Sequence, residues 1–90
     1  MQEMVNTGYG FELQEDGKMV AEITYRQEGD VLVADHTYVS EELRGQKVAE
    51  KMLNELVDYA RGQGYQIVPQ CSYVQTMFRR HEKYADVWKR

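Results

Sequence analysis

Residues 44 to 49 read Arg-Gly-Gln-Lys-Val-Ala. They stand between an apolar stretch that ends at Val39 and an amphipathic stretch that begins at once. The first N–H groups of a helix have no internal partner and carry partial positive charge, so a helix that starts here can hold an anion. Gly45 lets the backbone approach an oxyanion closely. Arg44 and Lys47 add charge, and the small Ala49 lets the first turn pack against the preceding strand. The chemistry this points to is phosphate recognition. The plainer alternative is a solvated loop in which Ser40 caps a turn and Gly45 relieves backbone strain. A P-loop does not fit, because no second glycine precedes a Lys-Ser/Thr pair, and the three-glycine dinucleotide fingerprint is missing.

Three side chains could do covalent or proton chemistry. Cys71 follows a short apolar run and precedes a helical spacing, and a helix N-terminus can lower a thiol pKa and activate it as a nucleophile. Free cysteine is also among the most buried residue types, so on residue type alone Cys71 reads first as a small apolar side chain. His36 is of the residue type best suited to general-base work near neutral pH. It sits between Asp35 and Thr37 on a strand, where a satisfied structural histidine is the alternative. Tyr73 reads as a core aromatic with its hydroxyl bonded at the edge. His81 precedes Glu82 near a helix end, where a charged imidazole is favoured. Two His, one Cys and scattered carboxylates show no metal-ligand spacing.

The elements that must position these residues follow from periodicity. Residues 9–13 alternate, with Tyr9, Phe11 and Leu13 on one face. A turn at residues 15–18 leads to a second strand, 19–25, with Met19, Ala21, Ile23 and Tyr25 facing one way. A turn at 28–30 leads to a third, 31–39, with Val31, Val33, Thr37 and Val39 on one face. The period then changes. Val48, Ala49, Met52, Leu53, Leu56, Val57 and Ala60 recur at spacings of three and four, which predicts a helix from about Gly45 to Arg61, stopped by Gly62 and Gly64. Tyr65–Val68 returns to the sheet as a strand parallel to the third, through a right-handed crossover. Pro69 limits its ladder. Tyr73, Val74, Met77, Phe78 and His81 are spaced as a second helix, and a last helical piece carries Tyr84, Ala85 and Trp88. The order β-β-β-α-β-α is an α+β fold: an antiparallel meander, a crossover helix and a following strand, with helices packed on the sheet.

The loop Arg44-Gly45-Gln46-Lys47-Val48-Ala49 resembles the acetyl-CoA pyrophosphate loop of the GNAT acetyltransferase superfamily, whose motif runs Gln/Arg-x-x-Gly-x-Gly/Ala. A wider set of segments, His36-Thr37-Tyr38-Val39, Glu42 to Gln46, Ile67 to Val74, Arg80-His81 and Tyr84 to Val87, resembles the small GNAT-like N-acetyltransferase-domain proteins over roughly residues 8 to 88. Lys47 departs from the motif, which has Gly there. A lysine still offers its backbone N–H, provided the position is helical rather than left-handed. The resemblance implies acetyl-CoA as cofactor, with its pyrophosphate on residues 44 to 49. It implies that the strands ending at Val39 and spanning Gln66–Val68 splay around the pantetheine arm. Backbone N–H groups near Tyr38 and Val39 would then polarise the thioester carbonyl. It also implies that Tyr73 donates a proton to the departing thiolate, and that Cys71 either takes the acetyl group or lines the pocket. Full-length members carry extra N-terminal helices beside the acceptor, for which these 90 residues leave no room.

Composition sets the remaining bounds. The chain has 90 residues, enough for one small domain spanning 1–90, and a net charge of −4, which weighs against nucleic-acid binding. The locally basic stretch from Phe78 to Arg90 reads as a solvated helix. A single cysteine excludes an internal disulfide and suits a reducing compartment. No signal pattern opens MQEMVNTG, and the longest apolar run, Val31–Ala34, is far short of a membrane span. The expectation is a cytoplasmic monomer or homodimer that moves an acetyl group to an amine acceptor. The alternatives are a non-catalytic acyl-CoA binding module and a protein-interaction domain.

Overall fold

A computed structural model describes residues 1–90. Five strands form one sheet in the order β1-β2-β3-β4-β5. They are β1 (Gln2–Asn6), β2 (Gly10–Glu15), β3 (Lys18–Glu28), β4 (Val31–Val39) and β5 (Gln66–Pro69). The first four pair antiparallel, and β5 runs parallel to β4. Helix α1 (Val48–Gln63) makes the crossover between β4 and β5, and α2 (Ser72–Arg80) follows β5. This is the α+β arrangement the periodicity predicts, with one strand more. The segment Gln-Glu-Met-Val-Asn carries too little apolar pattern to announce β1. Only Met4 and Val5 are half-buried, and the strand is held by the register Gln2↔Glu15 to Asn6↔Phe11 at the sheet edge.

One sheet face is apolar because its side chains meet α1. Phe11, Leu13, Ala21, Ile23, Tyr25, Leu32 and Ala34 form a single buried cluster with Met52, Leu53, Leu56, Val57 and Ala60 of α1 and Val74, Met77 and Phe78 of α2. Alternation along β4 is broken by a bulge. Tyr25 faces Ala34 and Thr24 faces His36, so Asp35 is the extra residue. The bulge corrects the reading of the third strand. Leu32 and Ala34, rather than Val31 and Val33, join the core face, and Thr37 and Val39 continue it beyond the bulge. Tyr9 is 79% exposed and Met19 36% exposed, so neither extends the apolar face of its strand. Tyr9 belongs to the turn before β2, where Gly10 is required sterically. A Cβ there would lie 2.3 Å from the carbonyl oxygen of Ile23.

α1 begins at Val48, not Gly45, because the loop is left-handed at both Gly45 (φ 86°) and Lys47 (φ 60°). Its C-terminal stop is Gly64, also left-handed, whose N–H donates to the carbonyls of Ala60 and Arg61. After α2 the chain makes a 3-10 turn at Glu82–Tyr84 instead of a further helical piece carrying Trp88. The tail then runs beside β5. Ile67 N–H donates to Val87 O at 2.6 Å, and Lys89 N–H donates to Ile67 O at 2.8 Å. Arg61 fastens this tail to α1 through Nε and Nη2 on the two Asp86 carboxylate oxygens, 2.8 and 2.9 Å away. No helix is long and apolar enough to cross a membrane.

Candidate cofactor cleft

The ladder between β4 and β5 ends at the pair Ala34↔Pro69. The carbonyl of Ala34 accepts the N–H groups of both Gln70 (3.0 Å) and Cys71 (2.8 Å), which turns the chain away from β4 and into α2. Residues 35 to 39 of β4 therefore have a partner strand only on the β3 side, and the two parallel strands part like a V. Ser40 N–H donates to Val20 O of β3 at 2.8 Å. N–H directions alternate along a strand, so those of Thr37 and Val39 face the opening, and that of Tyr38 faces β3.

The V opens onto a cleft of about 410 Å³ between the loop before α1 and one side of α2. Val39 at the end of β4, Leu43 of the loop and Val48 of α1 supply apolar wall on one side, and Tyr73, Met77 and Arg80 of α2, with His81 just after it, form the other. Arg44, Gly45, Lys47 and Ala49 line the floor at the helix N-terminus. The backbone N–H groups of Lys47, Val48, Ala49 and Glu50 donate to no carbonyl, and no side chain caps them. They form an open row of donors at the positive end of a 16-residue helix.

Lys47 corrects the condition attached to it by the sequence. Its backbone is left-handed (φ 60°, ψ 27°), the conformation glycine adopts without penalty. A left-handed residue followed by a right-handed one turns successive N–H groups inward, the concave nest that suits an anion. Gly45 meets nothing within 4 Å of where a Cβ would lie, so its left-handed φ, not crowding, demands glycine. Arg44 turns back, its Nε donating to Val39 O at 3.2 Å, which anchors the loop to the end of β4.

The remaining sequence-singled residues divide between cleft and surroundings. Tyr73 lines the cleft, half-buried, and its hydroxyl pKa is pushed up to about 12, chiefly by burial and next by the negative charge of Glu50. Cys71 is half-buried at the N-cap of α2, outside the cleft lining, with Sγ 3.5 Å from Thr37 Oγ1 at the base of the V. His36 is not brought to the cleft. It lies on the far sheet face, exposed, with Nε2 3.8 Å from Glu22 Oε2. Tyr38 shares that far face. Gln46 points back over the loop, Nε2 donating to Glu42 O at 3.3 Å. Sequence reading passed over Met77, Arg80 and Glu50. The helical spacing that marks Met77 as core also sets Arg80 one turn further along α2, on the cleft side, which was the available signal. Glu50 reads as a polar-face residue of α1, and only the fold brings it beside Tyr73.

Residues 10–87 match the GCN5-related N-acetyl-transferase family. The chain belongs to that family. Among solved structures, a GCN5-like protein from Staphylococcus aureus is 34% identical with a TM-score of 0.80, covering 97% of this chain and 87% of its own. A ribosomal-protein-alanine N-acetyltransferase from Brucella melitensis shares the fold at 17% identity and a TM-score of 0.62, over 79% of this chain and 58% of its own. An N-acetylglutamate synthase from Neisseria gonorrhoeae, solved with coenzyme A and N-acetyl-glutamate, matches at 21% identity and a TM-score of 0.57. That match covers 66% of this chain and 15% of the synthase. No curated protein matches the sequence. In this GCN5-related chain the end of β4 at Val39, the open N-terminus of α1 and a cationic lining share one cleft. Its donors, backbone N–H groups and the side chains of Arg44, Lys47 and Arg80, have the chemistry that suits an anion.

Proposed function

We propose that the protein is an acetyl-CoA-dependent N-acetyltransferase acting on an amine. The observation that carries the reading is the opening between β4 and β5 onto four unpaired N–H groups at the start of α1. Acetyl-CoA supplies an activated acetyl thioester. The chain's own groups have separable tasks. The N–H groups of residues 47 to 50, with the side chains of Arg44 and Lys47, hold the pyrophosphate. The N–H of Val39, directed into the opening, hydrogen-bonds the carbonyl oxygen as negative charge develops on it. Tyr73, protonated at any physiological pH because its pKa is about 12, donates a hydrogen bond to the departing sulfur. Cys71 sits beside Thr37 at the base of the opening, from which its sulfur either receives the acetyl group before the amine does or lines the pocket.

A second reading is a binding module without turnover. It is favoured by the positions of His36, on the far sheet face, and Cys71, outside the cleft lining, so that the cofactor-side groups gather in the cleft while two of the three proton or nucleophile candidates do not. Isothermal titration with acetyl-CoA, beside the double variant Arg44→Glu/Lys47→Glu, tests the shared part. One-site binding that the variant loses is expected, and absence of binding to the folded wild type refutes both readings. Release of free CoA thiol with a panel of amines then divides them, since a pure binding module releases none. Cys71→Ala assigns the route. Loss of turnover with unchanged affinity places the acetyl on Cys71, and retained turnover means direct transfer.

A further inference from the structure

The cleft has a third cation that neither the loop motif nor the helix N-terminus accounts for. Arg80 ends α2 and lines the wall of the cleft that faces Arg44 and Lys47. Although the chain carries a net charge of −4, all three of these cations lack an acidic partner. The single carboxylate in the lining, Glu50, has its own counter-ion in Lys83, 3.8 Å away. The cleft is thus a positive basin in an acidic protein. A pyrophosphate seated on the N–H groups of residues 47 to 50 uses the floor and the loop side. It leaves the guanidinium on the α2 side free for a separate anionic group. Coenzyme A has one, the phosphate on its ribose, and dephospho-CoA does not.

We infer that Arg80 is a specificity-determining residue that reads the ribose phosphate and makes this cleft prefer CoA thioesters over their dephospho forms. The inference rests on the acetyl-CoA reading above and assigns a role within it. A guanidinium suits the task, because its planar donors pair two phosphate oxygens at once. Its place in the last turn of α2 also lets it be replaced with little cost to folding. The helix C-terminus favours a cation there only modestly.

The experiment is titration of wild type, Arg80→Gln and Arg79→Gln with acetyl-CoA and with acetyl-dephospho-CoA, circular dichroism confirming that all three are folded. Arg79 neighbours Arg80 but lies outside the cleft lining. Wild type is expected to bind acetyl-CoA about five- to tenfold more tightly than the dephospho form, the scale of one partly exposed charge-assisted contact. Arg80→Gln is expected to abolish that ratio by weakening acetyl-CoA alone, and Arg79→Gln to preserve it. Equal affinity of wild type for the two ligands overturns the inference and leaves the acetyl-CoA reading intact. Equal loss of both ligands in Arg80→Gln also overturns it, since the arginine would then serve the pyrophosphate or the thioester arm. Binding of neither ligand by folded wild type removes the acetyl-CoA reading and this inference with it.

Discussion

Lys47 offers a test in which stability and ligand affinity move in opposite directions. A non-glycine residue at φ 60°, ψ 27° carries a backbone penalty of about 1–2 kcal/mol relative to its right-handed form. Replacing it with glycine removes most of that penalty. Glycine also gives the unfolded chain more freedom to lose, which returns about 0.5–1 kcal/mol. Lys47→Gly should therefore stabilise the fold by about 0.5–1 kcal/mol. In a domain of this size the melting temperature rises about 2–8 °C. Lys47→Ala keeps the penalty and removes the same charge, so its stability should stay within about 0.5 kcal/mol of wild type. Both variants lose one cation from the cleft floor and should bind acetyl-CoA a few-fold more weakly, by similar factors. Urea unfolding and calorimetric titration of the three proteins read both quantities. If Lys47→Gly is no more stable than Lys47→Ala, the left-handed loop carries no strain and the account of how α1 begins is wrong.

Two other perturbations test the fastening of the C-terminal tail and the wall of the cleft. Arg61 holds the Asp86 carboxyl below its ordinary pKa by direct hydrogen bonding, so the pair stabilises above the unfolded carboxylate's pKa of 3.8, and that contribution is lost as pH falls through the lower folded value. Both side chains are largely solvated, at 41% and 58% exposed, so solvent screening limits Asp86→Asn to about 0.5–1 kcal/mol at pH 7. The difference from wild type should vanish near pH 2 in urea titrations, and a constant difference would deny the ion pair its role. Tyr73 has its folded pKa raised to about 12 against 10.0 when unfolded, so the stability it confers is complete below pH 10 and declines as pH rises toward 12. Tyr73→Phe should flatten that decline. It should also lower kcat about 10- to 100-fold at pH 8 with little change in acetyl-CoA affinity. An unchanged kcat would remove the hydroxyl from the reaction.

Much of the fold lies open in the sequence, because periods of two and of 3.6 are properties of single segments. Val48 to Ala60 display the apolar face of α1 whatever they pack against, and the change of period after Val39 marks where the sheet gives way to the crossover. The resemblance carried by the segments around Arg44–Ala49 and Ile67–Val74 names the family for the same reason: each segment's residues are contiguous in the chain. What pattern cannot carry is anything that depends on two distant segments meeting. The bulge at Asp35 arises from the pairing of β3 with β4 and reverses which side chains of β4 meet the core. β1 exists because β2 offers it an edge, not because its own residues are apolar. The left-handed backbone at Lys47 belongs to the short loop that joins β4 to α1 and runs against the residue's own preference. The assignment of the cleft is tertiary as well. His36 has a suitable side chain, yet the alternation beyond the bulge sends it to the far face. Arg80 looked like one more charge in a basic tail, and the placing of α2 across the cleft from the start of α1 put it in one lining with Arg44 and Lys47. Residue type and local spacing determined the family and the loop that opens α1, whereas strand register and helix packing decided which side chains line the cleft beside it.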